Sequence, residues 1–251
     1  MADPPILRKS FVQLLMPWSG EYTSRPLWRL IIDPFTVFGN PAVIWAVILV
    51  SFPTLWLVAI NLLVGQIFAG PPYLLDTATL GYLSAGPAIG GFLGAIAAGA
   101  VSDPLIEWAS RRNGGIYEPE FRLMLIIPAL ITSAIGFFPF GYLAEMGKGP
   151  VIMATLWAIS SVSMQFIMTA VTTYIVDSYR NISVEIFITT MVIKNFLFFG
   201  FTFFLSPWIV EWGAADMFYC VGGIQAALCL TTVPMWCYGK RVRAWWHKSA
   251  L

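Results

Sequence analysis

The chain has 251 residues, 58% of them hydrophobic and only 11% charged, with a net charge of +1 and a mean hydropathy of +0.76. Soluble domains carry roughly 25% charged residues, so charge this sparse cannot cover a water-facing globule; it also excludes a disordered chain and a basic nucleic-acid binder. Three Cys in one late apolar stretch make no disulfide framework, and a single His makes no multi-His metal or haem site, so no metal and no cofactor is expected.

Crossing the roughly 30 Å hydrocarbon core of a bilayer takes about 20 apolar helical residues. Residues 1–33 mix Arg8, Lys9, Glu21, Arg25, Arg29 and Asp33 with short apolar pieces and show no removable signal peptide. Arg25, Arg29 and Asp33 fall on one helical face, with Leu27, Trp28, Ile31 and Ile32 away from it. That spacing predicts a short amphipathic helix in the interface, within a cytoplasmic segment 1–42. Windows free of Asp, Glu, Lys and Arg follow at 34–75, 77–102, 123–144, 149–176 and 217–239; a sixth apolar run, 186–210, is interrupted only by Lys194. None alternates as a barrel strand does. They predict an all-α membrane protein with six transmembrane helices at about 43–69, 78–101, 122–143, 150–176, 185–209 and 215–238. The bundle so defined covers 43–239, and a basic tail, 240–251, carries Trp245 and Trp246 as an interfacial anchor.

With six crossings both termini lie on one side. That side holds Arg8, Lys9, Arg25, Arg29, Arg111, Arg112, Arg122, Arg180, Lys240, Arg241, Arg243 and Lys248, against Lys148 alone opposite. Lys and Arg are retained on the cytoplasmic side, so both termini are expected there. The Asn181-Ile182-Ser183 sequon would then face the cytosol and stay unmodified.

Several polar groups fall at membrane depth. Lys194 lies nine residues after Glu185, about 14 Å along a helix, near the midplane. A centred Lys costs roughly 2.5–3.5 kcal/mol on insertion scales, so it should face a polar cavity or a partner. Asn195 points about 100° away from it. Gln165, Thr169 and Thr172 form an i, i+4, i+7 stripe, either along a substrate path or in interhelical hydrogen bonds. Asn61, Gln66 and Gln225 are further pathway candidates, with plain structural roles the commoner reading for the first two. Asp177, Arg180 and Glu185 read as a salt-bridged turn. No paired carboxylates or His occupy the spans, so nothing assembles an enzyme site.

The second span carries Gly86, Gly90 and Gly94 at every fourth position, one face on which another helix can approach closely. It ends in Gly99-Ala-Val-Ser-Asp103, and the following loop contains Arg111-Arg112-Asn113-Gly114-Gly115-Ile116-Tyr117-Glu118-Pro119-Glu120-Phe121-Arg122-Leu123. This stretch resembles the loop between the eighth and ninth helices of fungal major facilitator superfamily transporters of the drug:proton antiporter-like branch. It is a degenerate copy of their Gly-x-x-x-Asp…Arg-Arg signature, with Pro104 where the signature has a basic residue. Thr173-Tyr174-Ile175-Val176-Asp177-Ser178-Tyr179 resembles the end of that branch's tenth helix. Lys194-Asn195 with the aromatic run to Trp208 and Trp212 resembles the eleventh, and Pro234 with Tyr238-Gly239-Lys240-Arg241 the end of the twelfth.

The resemblance implies the carboxy-terminal six-helix half of a major facilitator fold, in the plasma membrane or another cellular membrane. It further implies proton-coupled efflux of a small organic compound by alternating access about a midplane site. Gly99, Asp103, Arg111, Arg112, Glu118, Glu120 and Arg122 become candidates for a cytoplasmic latch against the other half. That half would come from a second copy, as a homo-dimer, or from an amino-terminal half encoded elsewhere. The alternative is a non-transporting truncated carrier acting as a membrane partner, regulatory subunit or relic.

Overall fold

The structure is a computed structural model and describes residues 26–249 apart from residue 72. The described residues are helical throughout, with turns and no strand. Eight helices follow in chain order: α1 Leu27–Thr36, α2 Pro41–Phe68, α3 Thr77–Leu83, α4 Ala85–Arg112, α5 Ile126–Glu145, α6 Pro150–Ser178, α7 Ser183–Leu230 and α8 Thr232–Ser249. Tight 3-10 turns at Val37–Gly39, Pro119–Leu125 and Arg180–Ile182 join them.

The helix starts are written locally. Asn40 accepts from the Ala42 N–H at 2.9 Å, with Pro41 in the first turn of α2; Asp76 accepts from the Thr79 N–H at 3.3 Å to open α3. A side-chain oxygen there satisfies an amide the helix cannot, and Pro at the first position forfeits no bond.

Five helical segments are long and apolar enough to cross a membrane: Pro41–Phe68, Thr77–Arg112, Pro119–Glu145, Pro150–Ser178 and Arg180–Trp246. The outside of the bundle is apolar, with Ile89, Phe92 and Ile96 of α4, Ile127, Ile131 and Ile135 of α5, and Phe196, Phe199 and Phe203 of α7 all exposed. A surface of this kind requires lipid. The chain is an integral multi-pass membrane protein.

The last segment contains a break. α7 would be about 72 Å long at 1.5 Å per residue, more than twice a bilayer core. At Gly213 the backbone turns to φ +79°, ψ 168°, dividing α7 into arms 183–212 and 214–230. Glu145, at the end of α5, accepts from the Ala215 N–H at 2.9 Å and so caps the second arm. The first arm packs on α2 through Trp56 and Phe201 (ring centroids 5.3 Å), the second on α5 through Phe140 and Phe218 (4.7 Å).

Small residues set the closest contacts. A Cβ on Gly86 would lie 2.4 Å from the Ala154 carbonyl oxygen, on Gly90 2.2 Å from that of Ala158, and on Gly94 2.8 Å from Val162 Cα. α4 and α6 therefore touch backbone to backbone along the predicted glycine face. Ser163 adds a bond to the Ala129 carbonyl of α5 at 2.9 Å, the interhelical pairing expected in lipid. Trp56, Trp157, Phe137, Phe140 and Phe218 fill the end near Gly213; Val43, Val47, Ile167 and Tyr174 fill the other.

One expectation is corrected. The second span does not stop at 101: α4 runs unbroken to Arg112, so Arg111 and Arg112, expected in a loop, lie on the same helix as Gly99 and Asp103. Charge marks where a helix leaves lipid, not where it ends. The amphipathic segment near the start is helical as α1, with Trp28, Ile32 and Phe35 exposed along one stripe, and Thr189 of α7 donates to the Pro34 carbonyl. Arg25, and the side chains of Leu27, Arg29, Ile31 and Asp33, lie outside the described residues.

Candidate functional site

Lys194 stands eleven residues into α7, about 16 Å from its start. It is half-buried and lines a crevice of about 90 Å³ among α2, α6 and α7 with Val50, Val171, Thr172, Thr190 and Met191. At about 30 Å³ per water such a space holds about three. Its Nζ lies 3.4 Å from Met191 Sδ, and among the described residues no carboxylate forms an ion pair with it. Apart from Lys194 itself, Thr172 and Thr190 are the polar members of an otherwise apolar lining.

The other pathway candidates divide. Thr172 shares the Lys194 crevice. Gln165 lies on the same face of α6 but further along, its side chain 3.2 Å from where a Gly94 Cβ would be. Thr169 is half-buried between them, its carbonyl accepting from Thr173 at 2.6 Å. Asn195 turns away from Lys194 as expected, lining a separate open hollow with Val192, Phe196 and Phe199. Gln66 donates to Ser206 of α7 at 2.7 Å, and Asn61 is exposed on α2. Gln225 is fully buried and donates to Cys229 Sγ at 3.5 Å, away from the Lys194 crevice. Two residues went unnoticed in the sequence: Thr202 and Ser206 are exposed on α7, seven and eleven positions after Asn195. That helical spacing was the available signal.

The latch candidates also divide. Gly99 has open space around it, and Asp103 is exposed. Arg111 pairs with Glu107 one turn back at 2.5 Å, and Arg112 stacks over Trp108, 4.5 Å from the ring centre. Glu118, Glu120 and Arg122 instead bind partners within this chain. Glu118 pairs with Lys240 of α8 and accepts from Asn113 at 3.1 Å. Glu120, almost wholly buried, lies 3.1 Å from the Arg243 guanidinium. Arg122 Nε donates to Asp177 at the end of α6 at 2.5 Å, and the Tyr117 hydroxyl donates to the same carboxylate oxygen. The salt-bridged turn read from Asp177, Arg180 and Glu185 is thus replaced by an Asp177–Arg122 bridge between helices.

These pairs tie the 3-10 turn before α5 to α6 and to α8. Lys240 and Arg243 are three apart, hence on one face of α8, and a Cβ on Gly239 would lie 3.2 Å from Glu120 Oε1, so α8 comes close there. The hydrogen bond from Lys240 holds the Glu118 carboxyl below the usual range, with Asn113 adding to it. Burial pushes the Tyr117 hydroxyl up, and its bond to Asp177 adds to the shift. The opposite end, around Gly213, carries Asp76, Glu145, Glu211 and Asp216 with Lys148.

Among known proteins the chain is similar to Protein HOL1 of Saccharomyces cerevisiae, 29% identical over 182 residues, 70% of this chain and 30% of that protein. An uncharacterized MFS-type transporter of Schizosaccharomyces pombe is 31% identical over 169 residues, 64% of this chain and 28% of that one. A probable efflux pump of Aspergillus flavus is 26% identical over 157 residues, 60% and 37% respectively. The chain thus spans less than a third of the length of the first two relatives. No family model matches it, and no solved structure does.

Proposed function

We propose, on the premise that this chain is a relative of fungal major facilitator superfamily transporters, which are membrane carriers and not enzymes, that it forms the carboxy-terminal six-crossing part of a secondary transporter. The break at Gly213 makes the fifth and sixth crossings from the two arms of α7. The end bearing Arg111, Arg112, Arg122, Arg180, Lys240, Arg241 and Arg243 is the cytoplasmic one, where positive charge is retained.

The observation that carries the reading is the Lys194 amine in its crevice at mid-span. The cost of keeping a cation at that depth is offset where the ammonium meets an anionic group of a solute or gives its proton up. Next to it, about 100° round α7, Asn195, Thr202 and Ser206 with Asn61 and Gln66 of α2 mark a second polar stripe on the bundle. A second bundle, from another part of a longer polypeptide or from another chain, closes the site from that side, and rocking between the two gives alternating access. Asp103, Arg111 and Arg112, exposed on α4, are the residues left to latch the second bundle. The substrate is a small organic compound, moved outward at the expense of a proton gradient.

The test is dye efflux from yeast cells lacking their own drug carriers. The chain is expressed alone and together with the amino-terminal six-helix half of a matched relative. Uncoupler-sensitive efflux, lost in Lys194→Leu at equal membrane abundance, is the expected result. Equal efflux by Lys194→Leu and wild type refutes the role of the amine. Absence of flux in both arrangements, with the chain co-purifying with a larger carrier, replaces transport with the subunit reading.

A further inference from the structure

The helices that wall the Lys194 crevice supply hydrogen-bond donors there and no anion to match them. α2 carries no carboxylate, and the one carboxylate of α6, Asp177, is taken by Arg122 and Tyr117. On the first arm of α7, Glu185 stands nine residues before Lys194 and Glu211 seventeen after it, about 14 and 26 Å along the helix.

The two hydroxyls of the lining differ. Thr190 donates to the Ile186 carbonyl at 2.7 Å and has no proton left to give. Thr172 is half-buried; its hydroxyl pairs with no described residue and is not among the polar atoms sealed from solvent. The crevice therefore offers an ammonium with three donors and one uncommitted hydroxyl. Met191 Sδ, 3.4 Å from Nζ, is a weak acceptor and meets one of those donors.

Such a donor set is complemented by an anion with two adjacent oxygens, because charge-assisted bonds to a carboxylate are the strong ones. The size agrees. About 90 Å³, the room of about three waters, matches the three heavy atoms of a carboxylate and is too small for the tetrahedral head of a phosphate or sulfonate. Met168, Met191 and Phe187 complete the apolar part of the lining, and thioether side chains adapt to an organic body of varied shape. Met191 is 58% exposed, so the amine beside it is reached from that side.

We propose that Lys194 and Thr172 bind the carboxylate of a small organic acid, which makes the solute of this carrier an anion. The proposal rests on the transport reading above and narrows its substrate class.

The test uses the purified full chain in phosphatidylcholine nanodiscs. The probes are a benzoate bearing a photoactivatable diazirine and the matching benzamide, which has the same shape and no charge. Benzoate adducts, mapped by mass spectrometry, should concentrate on 168–175 and 186–194 and exceed benzamide adducts there about tenfold. Unlabelled benzoate should displace them and benzenesulfonate should not. Lys194→Met should lower benzoate labelling about tenfold, to the benzamide level, while Lys194→Arg keeps most of it; Thr172→Val should lower it about threefold. The unfolding midpoint, followed by Trp fluorescence, should stay unchanged in all three variants. Equal labelling by acid and amide, or undiminished labelling of Lys194→Met, overturns the proposal. So does loss of acid labelling when the amino-terminal six-helix half of a matched relative is added, because a carboxylate of that half then holds the amine. Acid-selective labelling without flux in the yeast assay supports the site and refutes the transport reading alone.

Discussion

Gly90→Ala is the sharpest probe of how the bundle is held together. The added Cβ would stand 2.2 Å from the Ala158 carbonyl oxygen, where ordinary contact begins at 3.4 Å. Because the obstacle is backbone, not the tip of a flexible side chain, α4 and α6 must part by about 1.2 Å. A gap of 0.5–1 Å already forfeits a quarter to a half of each dispersion contact, so the Gly86 and Gly94 contacts weaken with it. Overpacking of this kind costs about 3 kcal/mol at the upper end. The better helix propensity of Ala returns about 1 kcal/mol, leaving a net loss of about 2 kcal/mol. At about 2–4 °C per kcal/mol for a chain of this size, the unfolding midpoint should fall by about 4–8 °C. The assay is thermal unfolding of the detergent-purified protein, followed by Trp fluorescence. The control lies on the same helix: Gly99 has nothing within 4 Å of its would-be Cβ, so Gly99→Ala gains propensity without a clash and should unfold at or above the wild-type temperature. Equal midpoints for the two variants would refute the backbone-to-backbone account of the α4–α6 interface.

Removing the cation beside Glu120 should be costlier than removing both charges. Arg243→Met strands a carboxylate of 4% side-chain exposure and should destabilise by about 3–5 kcal/mol, whereas Glu120→Gln with Arg243→Met should recover most of the loss in a double-mutant cycle. Gly213→Ala meets a positive φ and a Cβ position 2.6 Å from Glu145 Oε1, so it should destabilise by more than 1 kcal/mol. Glu145→Ala, which removes only the cap on the second arm of α7, should cost about 0.5–2 kcal/mol, both read as shifts in the unfolding midpoint. Acid should release the Glu118–Lys240 tie. The folded carboxyl is held low, so its contribution is complete above the unfolded carboxylate pKa and disappears as pH falls through the lower folded value. Titration from about pH 6 to about pH 3 should show wild type losing, relative to Lys240→Ala, a few tenths of a kcal/mol, because the Lys240 side chain is 58% exposed and water screens the pair.

The membrane-spanning segments were legible in the sequence because the demand that creates them is local: a stretch of backbone in hydrocarbon must be helical and apolar along its own length. The Gly86, Gly90 and Gly94 face was legible for the same reason, since a period of four on one helix states that something will come close. That the visitor is Ala154, Ala158 and Val162 of α6 is a tertiary fact. So are the partners of Glu118 and Glu120, which lie some 120 residues further along the chain. Their pairing energy exists only once the 3-10 turn before α5 and α8 are side by side, and nothing in either segment alone records it. The helical course of α4 to Arg112 was hidden because hydropathy reports where lipid ends, while a helix continues into water wherever its own amides remain bonded. Lys194 shows both halves of the matter. That a cation stands inside an apolar run could be read from its place in the chain, but the crevice that receives it is walled by three helices, and only their packing made it.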